Sequence, residues 1–238
     1  FPAATADIGD FTFTNNTVTG SEDNGVIVGR GSLTGNVTVT DNVVTESDGM
    51  GIDLRIDGET ATVANNIVTN NQGDIGFALE IDVSEGTIES NTIRNNEDGL
   101  VVTGNGPYGL ENVTITKNII EDNTGMGITV GGDQNVIVEQ NAIVGNSDGL
   151  LYTNGLENLD ARTNWWGAAD GPSGGETDPE TDAVADGSGD SLDTAGSFED
   201  YVLFDPWLEA PIVDTGTLSG TVTDADTDDL IADVTVEA

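Results

Sequence analysis

The sequence contains no cysteine and no histidine, and only 5 of its 238 residues are basic. Without cysteine a disulfide scaffold is excluded. Without cysteine or histidine, zinc has none of its usual nitrogen and sulfur ligands. The basic residues are too few to neutralise a phosphate backbone, which excludes nucleic acid and anionic lipid as partners. No apolar run approaches the roughly 20 residues of a membrane span, so no membrane insertion is expected. What is abundant is acid: 44 Asp and Glu give a net charge of −39. Self-repulsion on that scale loosens a fold in dilute buffer. In molar salt, where the Debye length is about 3 Å, it is largely screened. The composition therefore reads as a halophile-type acidic surface protein, the alternative being an ordinary acidic one. A chain opening at Phe1 reads as a processed or excised piece of a longer precursor.

An internal repeat organises the rest. The asparagines Asn16, Asn42, Asn66, Asn91, Asn118, Asn141 and Asn164 are spaced by 26, 24, 25, 27, 23 and 23 residues. Two positions after each stands Val18, Val44, Val68, Ile93, Ile120, Ile143 or Trp166. Three before each stands Phe13, Val39, Val63, Ile88, Ile115, Val138 or Ala161. Gly25, Gly51, Gly76, Gly99, Gly127 and Gly149 each open a further short alternating run. Each repeat thus holds three period-two pieces separated by polar turns, none able to bury its apolar face alone. Stacking the repeats about 4.8 Å apart builds a rod of roughly 34 Å with inward ladders of Val, Ile and Phe. The register asparagines suit a tight corner because Asn tolerates left-handed backbone. Stacked carboxamides also donate and accept along the ladder.

The runs NVTVTDNVVTESDGMGIDL and NVTITKNIIEDNTGMGITV resemble the parallel β-helix repeat of the pectate-lyase-like superfamily, over about residues 11–167. That resemblance implies an all-β, right-handed parallel β-helix of about seven coils. It says little about activity, because the superfamily includes lyases, hydrolases, epimerases, adhesins and inert stalks.

Residues 1–10 read as an N-terminal cap or lead-in strand, and 11–167 as the coils. Residues 168–199, rich in Gly, Asp, Glu, Ser and Thr, read as a surface excursion that cannot fold alone. Residues 200–210 read as a capping strand, with Phe204 and Trp207 packing near Trp165 or Trp166. The tail, 211–238, resembles the opening of a carboxypeptidase regulatory-like β-sandwich but is too short to complete it. It is truncated, or completed by residues outside the chain, or it donates Thr217–Val222 and Ile231–Val236 to another subunit.

The search for chemistry yields little. Lyases of the resembled superfamily need calcium-binding aspartates beside a basic residue that takes a proton. Arg30, Arg55, Arg94, Lys117 and Arg162 are the whole basic inventory, and no Arg–Lys pair flanked by aspartates shares a ladder. Paired carboxylates for glycoside hydrolysis carry no signal among so many acids. Asp224, Asp226 and Asp228 start like a calcium loop, but Asp229 and Thr235 stand where Gly and Glu belong. Calcium or other cations bound loosely to the acidic segments are expected at most, and no cofactor. Three N-glycosylation sequons begin at Asn15, Asn36 and Asn112. The reading that follows is an extracellular structural or adhesive surface module rather than an enzyme, able to self-assemble through its rod ends or C-terminal strands. A polysaccharide lyase or glycoside hydrolase, and a non-catalytic polysaccharide-binding module, are the alternatives.

Overall fold

The structure, a computed structural model, describes residues 9–28, 35–73, 75–104, 112–131, 135–153, 158–195 and 201–212. Arg30, the metal candidates Asp224, Asp226 and Asp228, most of the proposed N-terminal cap and the tail from 213 lie outside the described residues.

Alternation of β-branched and polar residues makes the strands, and polar turns end them. The first coil contains β1 (Phe11–Thr14), β2 (Thr17–Thr19) and β3 (Val26–Val28). The second begins with β4 (Val37–Thr40) and β5 (Val43–Thr45), then enters β6 (Ile52–Ala64). β6 runs on without a break into the first face of the next coil. After β7 (Ile67–Thr69), β8 (Ile75–Glu89) does the same. Then follow β9 (Thr92–Arg94), β10 (Asp98–Gly104), β11 (Val113–Thr116), β12 (Ile119–Glu121) and β13 (Met126–Gly131). The stack closes with β14 (Val136–Glu139), β15 (Ala142–Val144), β16 (Asp148–Thr153), β17 (Leu159–Asp160), β18 (Leu192–Thr194) and β19 (Val202–Leu203).

These strands pair parallel, coil on coil. On the first face Val37, Ala61, Gly86, Val113 and Val136 follow Phe11 in one row. On the second, Val18, Val44, Val68, Ile93, Ile120 and Ile143 align. On the third, Val26, Ile52, Phe77, Leu100, Ile128, Leu150 and Leu192 align. The result is an all-β parallel β-helix, with the repeat periodicity converted directly into inward ladders. Its dry interior is one cluster, in which Val44, Val63, Ile93, Leu100, Ile120 and Ile143 have no exposed surface.

The regular stack is slightly shorter than about seven coils. Six coils place a strand in the sheet β2-β5-β7-β9-β12-β15. In the seventh, β17 is two residues long and the second face is reduced to a bridge between Ala142 and Trp165. Bulky Trp165 and Trp166 replace the repeat there, and the chain departs from the coil.

Residues 168–195, poor in apolar side chains, are nonetheless ordered against the end of the rod. Leu192 enters the core on β18, and Ala185 is buried with it. Carboxylates supply what apolar burial does not. Asp178 accepts from the backbone N–H of Glu180, Thr181, Phe204 and Asp205 at 2.9, 3.1, 2.8 and 3.1 Å. Asp170 accepts from the backbone and hydroxyl of Ser188. The composition that argues against autonomous folding is thus compatible with folding onto a partner surface.

Inward and outward isoleucines on adjacent coils separate packing from propensity. Ile93→Ala, at a fully buried position, is expected to cost about 2–5 kcal/mol, whereas Ile119→Ala, at a side chain 44% exposed, costs well under half of that. Denaturant unfolding of both variants in the same high-salt buffer checks this.

Candidate functional site

The register asparagines form one continuous relay at the corner between the first and second faces. From Asn42 to Asn164 each Oδ1 accepts two hydrogen bonds from the coil before it, and from Asn16 to Asn141 each Nδ2 donates to the coil after it. Asn66 donates its backbone N–H and its Nδ2 to Asn91 Oδ1, both at 2.9 Å. Asn91 does the same to Asn118 at 2.9 Å, and Asn118 to Asn141 at 2.9 Å. Asn16 and Asn42 begin the relay, and Asn141 passes it to Asn164. The second Nδ2 proton goes to a strand carbonyl, as from Asn91 to Val63 at 3.0 Å. From Asn42 to Asn164 these side chains are buried. A buried carboxamide is tolerable only when so fully paired.

One local expectation is corrected. The register asparagines do not supply the left-handed backbone of the corner. The residue before each does: Asn15, Asp41, Asn65, Ser90, Lys117, Gln140 and Thr163 have φ of 57°, 58°, 56°, 55°, 56°, 54° and 58°. The cause is geometric. The left-handed residue makes the bend and turns its side chain outward, so many residue types serve. The following residue turns inward and must carry both a donor and an acceptor, which selects Asn.

A second relay runs along the corner between the second and third faces, five residues after the first in each coil. The backbone N–H of Ser47 donates to Asn71 Oδ1. Asn71 donates to Asn96, Asn96 to Asn123, and Asn123 to Asn146. This relay escaped sequence reading, although a column of Ser21, Ser47, Asn71, Asn96, Asn123 and Asn146 was its signal. It ends on a residue from outside the repeat. Asp190 Oδ2 accepts from Asn146 N and Nδ2, both at 2.9 Å, and its Oδ1 accepts from Gly145 N at 2.9 Å. Burial, reinforced by nearby Asp122, pushes the Asp190 carboxyl up despite those bonds. Asp178 goes the other way. Burial also raises it, but the backbone N–H groups around it outweigh that and hold it low.

The glycine column packs against this second relay. A Cβ at Gly127 would meet Gly149 O at 2.6 Å and Asn146 Nδ2 at 2.9 Å. Space, not a left-handed backbone, requires glycine there.

At the C-terminal end, Trp166 and Phe204 are fully buried in the core cluster, with Trp207 packed at its margin and Trp165 half-buried outside. Phe204 and Trp207 stack with centroids 6.3 Å apart, and Trp207 Nε1 donates to Ala169 O at 3.2 Å. The edge of β17 is covered by β19, and β18 is flanked by Ser173, which bridges to Ser191.

The described arginines are engaged in ion pairs. Arg55 meets the buried Asp53 at 3.2 Å, and Arg94 meets Glu121 at 3.2 Å. Arg162 grips Asp160 through Nε and Nη2 at 2.9 and 2.6 Å and reaches Glu180 at 3.5 Å. The guanidinium lowers the Asp160 carboxyl, and its own ionisation is raised in return. Lys117 instead lines a groove of about 610 Å³ beside the first relay. Asn65, Ser90, Thr92, Ile119, Gln140 and Ile212 share that lining, which contains no carboxylate. The second corner differs, carrying exposed Asp23, Glu46, Asp48, Glu97, Asp122 and Asp148. Among the described residues no three acidic side chains converge to hold a metal ion. All three sequon asparagines, Asn15, Asn36 and Asn112, are exposed.

Truncating one relay member is expected to be far costlier than truncating an outward asparagine. Asn91→Ala leaves donors of Asn66 and the Val63 carbonyl unpaired, at about 1–3 kcal/mol per group, whereas Asn95→Ala, exposed but left-handed at φ 55°, loses only about 1 kcal/mol of backbone preference. Urea unfolding gives both values.

Buried Asp178 and half-buried Asp190 also predict opposite pH responses. Asp178, held low, contributes stability that is present above an ordinary carboxyl value of about 4 and is lost as pH falls through its folded value. Asp190, raised, costs stability as pH rises through its folded value, so Asp190→Asn gains on the parent protein over that rise. Unfolding midpoints measured across that pH range at constant salt check both signs.

A family model described as a right handed beta helix region matches residues 4–165. No curated protein and no solved structure matches the chain.

Proposed function

The chain belongs to the right-handed β-helix family, and from that premise we propose that it is an extracellular structural or adhesive surface module that spaces or displays other parts outside the cell. One observation carries the reading: among the described residues the arginines and the buried asparagines are engaged in holding the rod. The described arginines sit in ion pairs and the buried asparagines satisfy one another. Asp178 and Asp190 close the C-terminal end by accepting backbone N–H groups. A net charge of −39 supports a brine-adapted, hydrated surface that excludes anionic partners.

Self-assembly belongs to this reading with a constraint. The C-terminal end is folded over by its own chain, so end-on docking there would have to displace residues 171–195 and 201–207. The opposite end leaves β1, β2 and β3 each paired on one side only among the described strands. Such edges invite further pairing.

A second reading is favoured by the groove at Lys117. Amides, hydroxyls and one ammonium over aliphatic floor residues suit a polyhydroxylated chain, so non-catalytic polysaccharide binding is its alternative use. Catalysis is the weaker alternative, because that lining pairs no acid with a base.

Incubation with neutral and acidic polysaccharides in molar salt separates these readings. The structural module leaves every polymer at its original length and binds none. Cleavage abolished by a single Asp substitution contradicts it, and retention on a polymer column that Lys117→Gln weakens transfers the assignment to the second reading. The charge makes a further prediction: the thermal midpoint rises continuously from about 0.1 to about 3 M sodium chloride as repulsion is screened. A flat profile removes the argument for brine adaptation.

A further inference from the structure

The three sequons differ in geometry, and the difference sorts them. Asn36 and Asn112 each stand one residue before a first-face strand, β4 and β11, in the same row of the stack. Both are exposed. Within these strands Val37, Val39, Val113 and Ile115 point inward and are buried, so Thr38 and Thr114 point outward. Residues two apart in a strand share a face. Each sequon therefore presents its carboxamide and its hydroxyl together on the outer face of the rod.

The Oδ1 of each also accepts a hydrogen bond from a neighbouring coil. Thr60 Oγ1 donates to Asn36 Oδ1 at 2.8 Å, and Asn135 Nδ2 donates to Asn112 Oδ1 at 3.2 Å. An N-linked sugar leaves Oδ1 free to accept, so attachment keeps both bonds. Asn15 is built differently. It occupies the left-handed corner at φ 57° and its Nδ2 donates to Thr14 Oγ1 at 3.2 Å. Its sequon hydroxyl, on Thr17, lies past the bend on the second face.

We propose that Asn36 and Asn112 carry N-linked glycans and that Asn15 does not, an inference that rests on the extracellular reading above. The attachment is a glycosyl transfer. The Asn Nδ2 forms a bond to the anomeric carbon of a sugar carried on a lipid phosphate. The carbon–oxygen bond to that phosphate breaks, the phosphate leaves with the electron pair, and one Nδ2 proton passes to a base on the transferase. No oxidant or reductant is involved. The two sugars stand three coils apart, about 14 Å along the rod. They furnish one edge with bulky, hydrated groups. The groove at Lys117 and the sheet β2-β5-β7-β9-β12-β15 lie past the other end of the first-face strands.

The test is glycopeptide mass spectrometry of the full chain purified from the cells that make it, together with fractionation of those cells. Sugar at Asn36 and Asn112 with Asn15 bare is the expected result; a bare Asn36 or Asn112, or sugar on Asn15, overturns the proposal. Thr38→Val, which keeps side-chain shape and removes the hydroxyl, is expected to abolish modification of Asn36 and leave Asn112 modified, and persistence of the sugar on Asn36 in that variant counts against it. A bare chain recovered from the cell surface sinks the glycan assignment alone. A bare chain recovered from the cytoplasm sinks the extracellular reading as well.

Discussion

A parallel coil that turns a corner strands the backbone N–H groups just past each bend, where no neighbouring strand reaches them. In this protein the carboxamide relay resolves that problem. One Asn Oδ1 takes the backbone N–H and the side-chain proton of the coil before, and its own Nδ2 repeats the contact one coil on. The arrangement works only if identical residues stack, so the relay fixes coil-to-coil register and, through it, every inward ladder. A relay also has to end. The first ends at Asn164, which turns its Nδ2 to the carbonyls of Val138 and Ala161. The second ends on Asp190, whose carboxylate has acceptors only and needs no further partner below it.

The charge distribution follows from the same constraint. Sheet faces are built from Thr, Val and Ile, and corners take whatever side chain can point outward from a left-handed or turn residue. Many of the acids are therefore displayed at turns, with Glu46, Asp122 and Asp148 exposed at the second corner. Lys117 occupies the equivalent outward position at the first corner and faces the groove. One edge of the rod is strongly negative, while the groove lining on another holds a single positive charge. That asymmetry, more than any assembled reactive group, is what the molecule offers to its surroundings.

Much of the fold was legible because the repeat is strict where packing demands it. Val44, Val68, Ile93 and Ile120 announce the second face, and Val39, Val63, Ile88 and Ile115 the first. The asparagine column was visible for the same reason, although its backbone role belongs to its neighbours. The second relay was obscured because serine takes its place at Ser21 and Ser47, which keep the turn but not the carboxamide. Asp190 was illegible, since it reaches Asn146 from 44 residues away, outside any period. The ordering of 168–195 was hidden likewise. Carboxylates capping backbone N–H groups leave no hydrophobic pattern, and Asp178 looks in sequence like any other acid among 44 Asp and Glu. Function was the least legible, because a rod's outward residues are constrained by exposure alone.

Hydrogen exchange of the side-chain carboxamide protons, resolved by NMR in high salt, addresses the relay itself. The account predicts that the Nδ2 protons of Asn66, Asn91, Asn118 and Asn141, and of Asn96 and Asn123, exchange only through global unfolding, while those of exposed Asn65, Asn70 and Asn95 exchange freely. Equal, rapid exchange in both sets would contradict it, for the corners would then be open to water and nothing would hold successive coils in register.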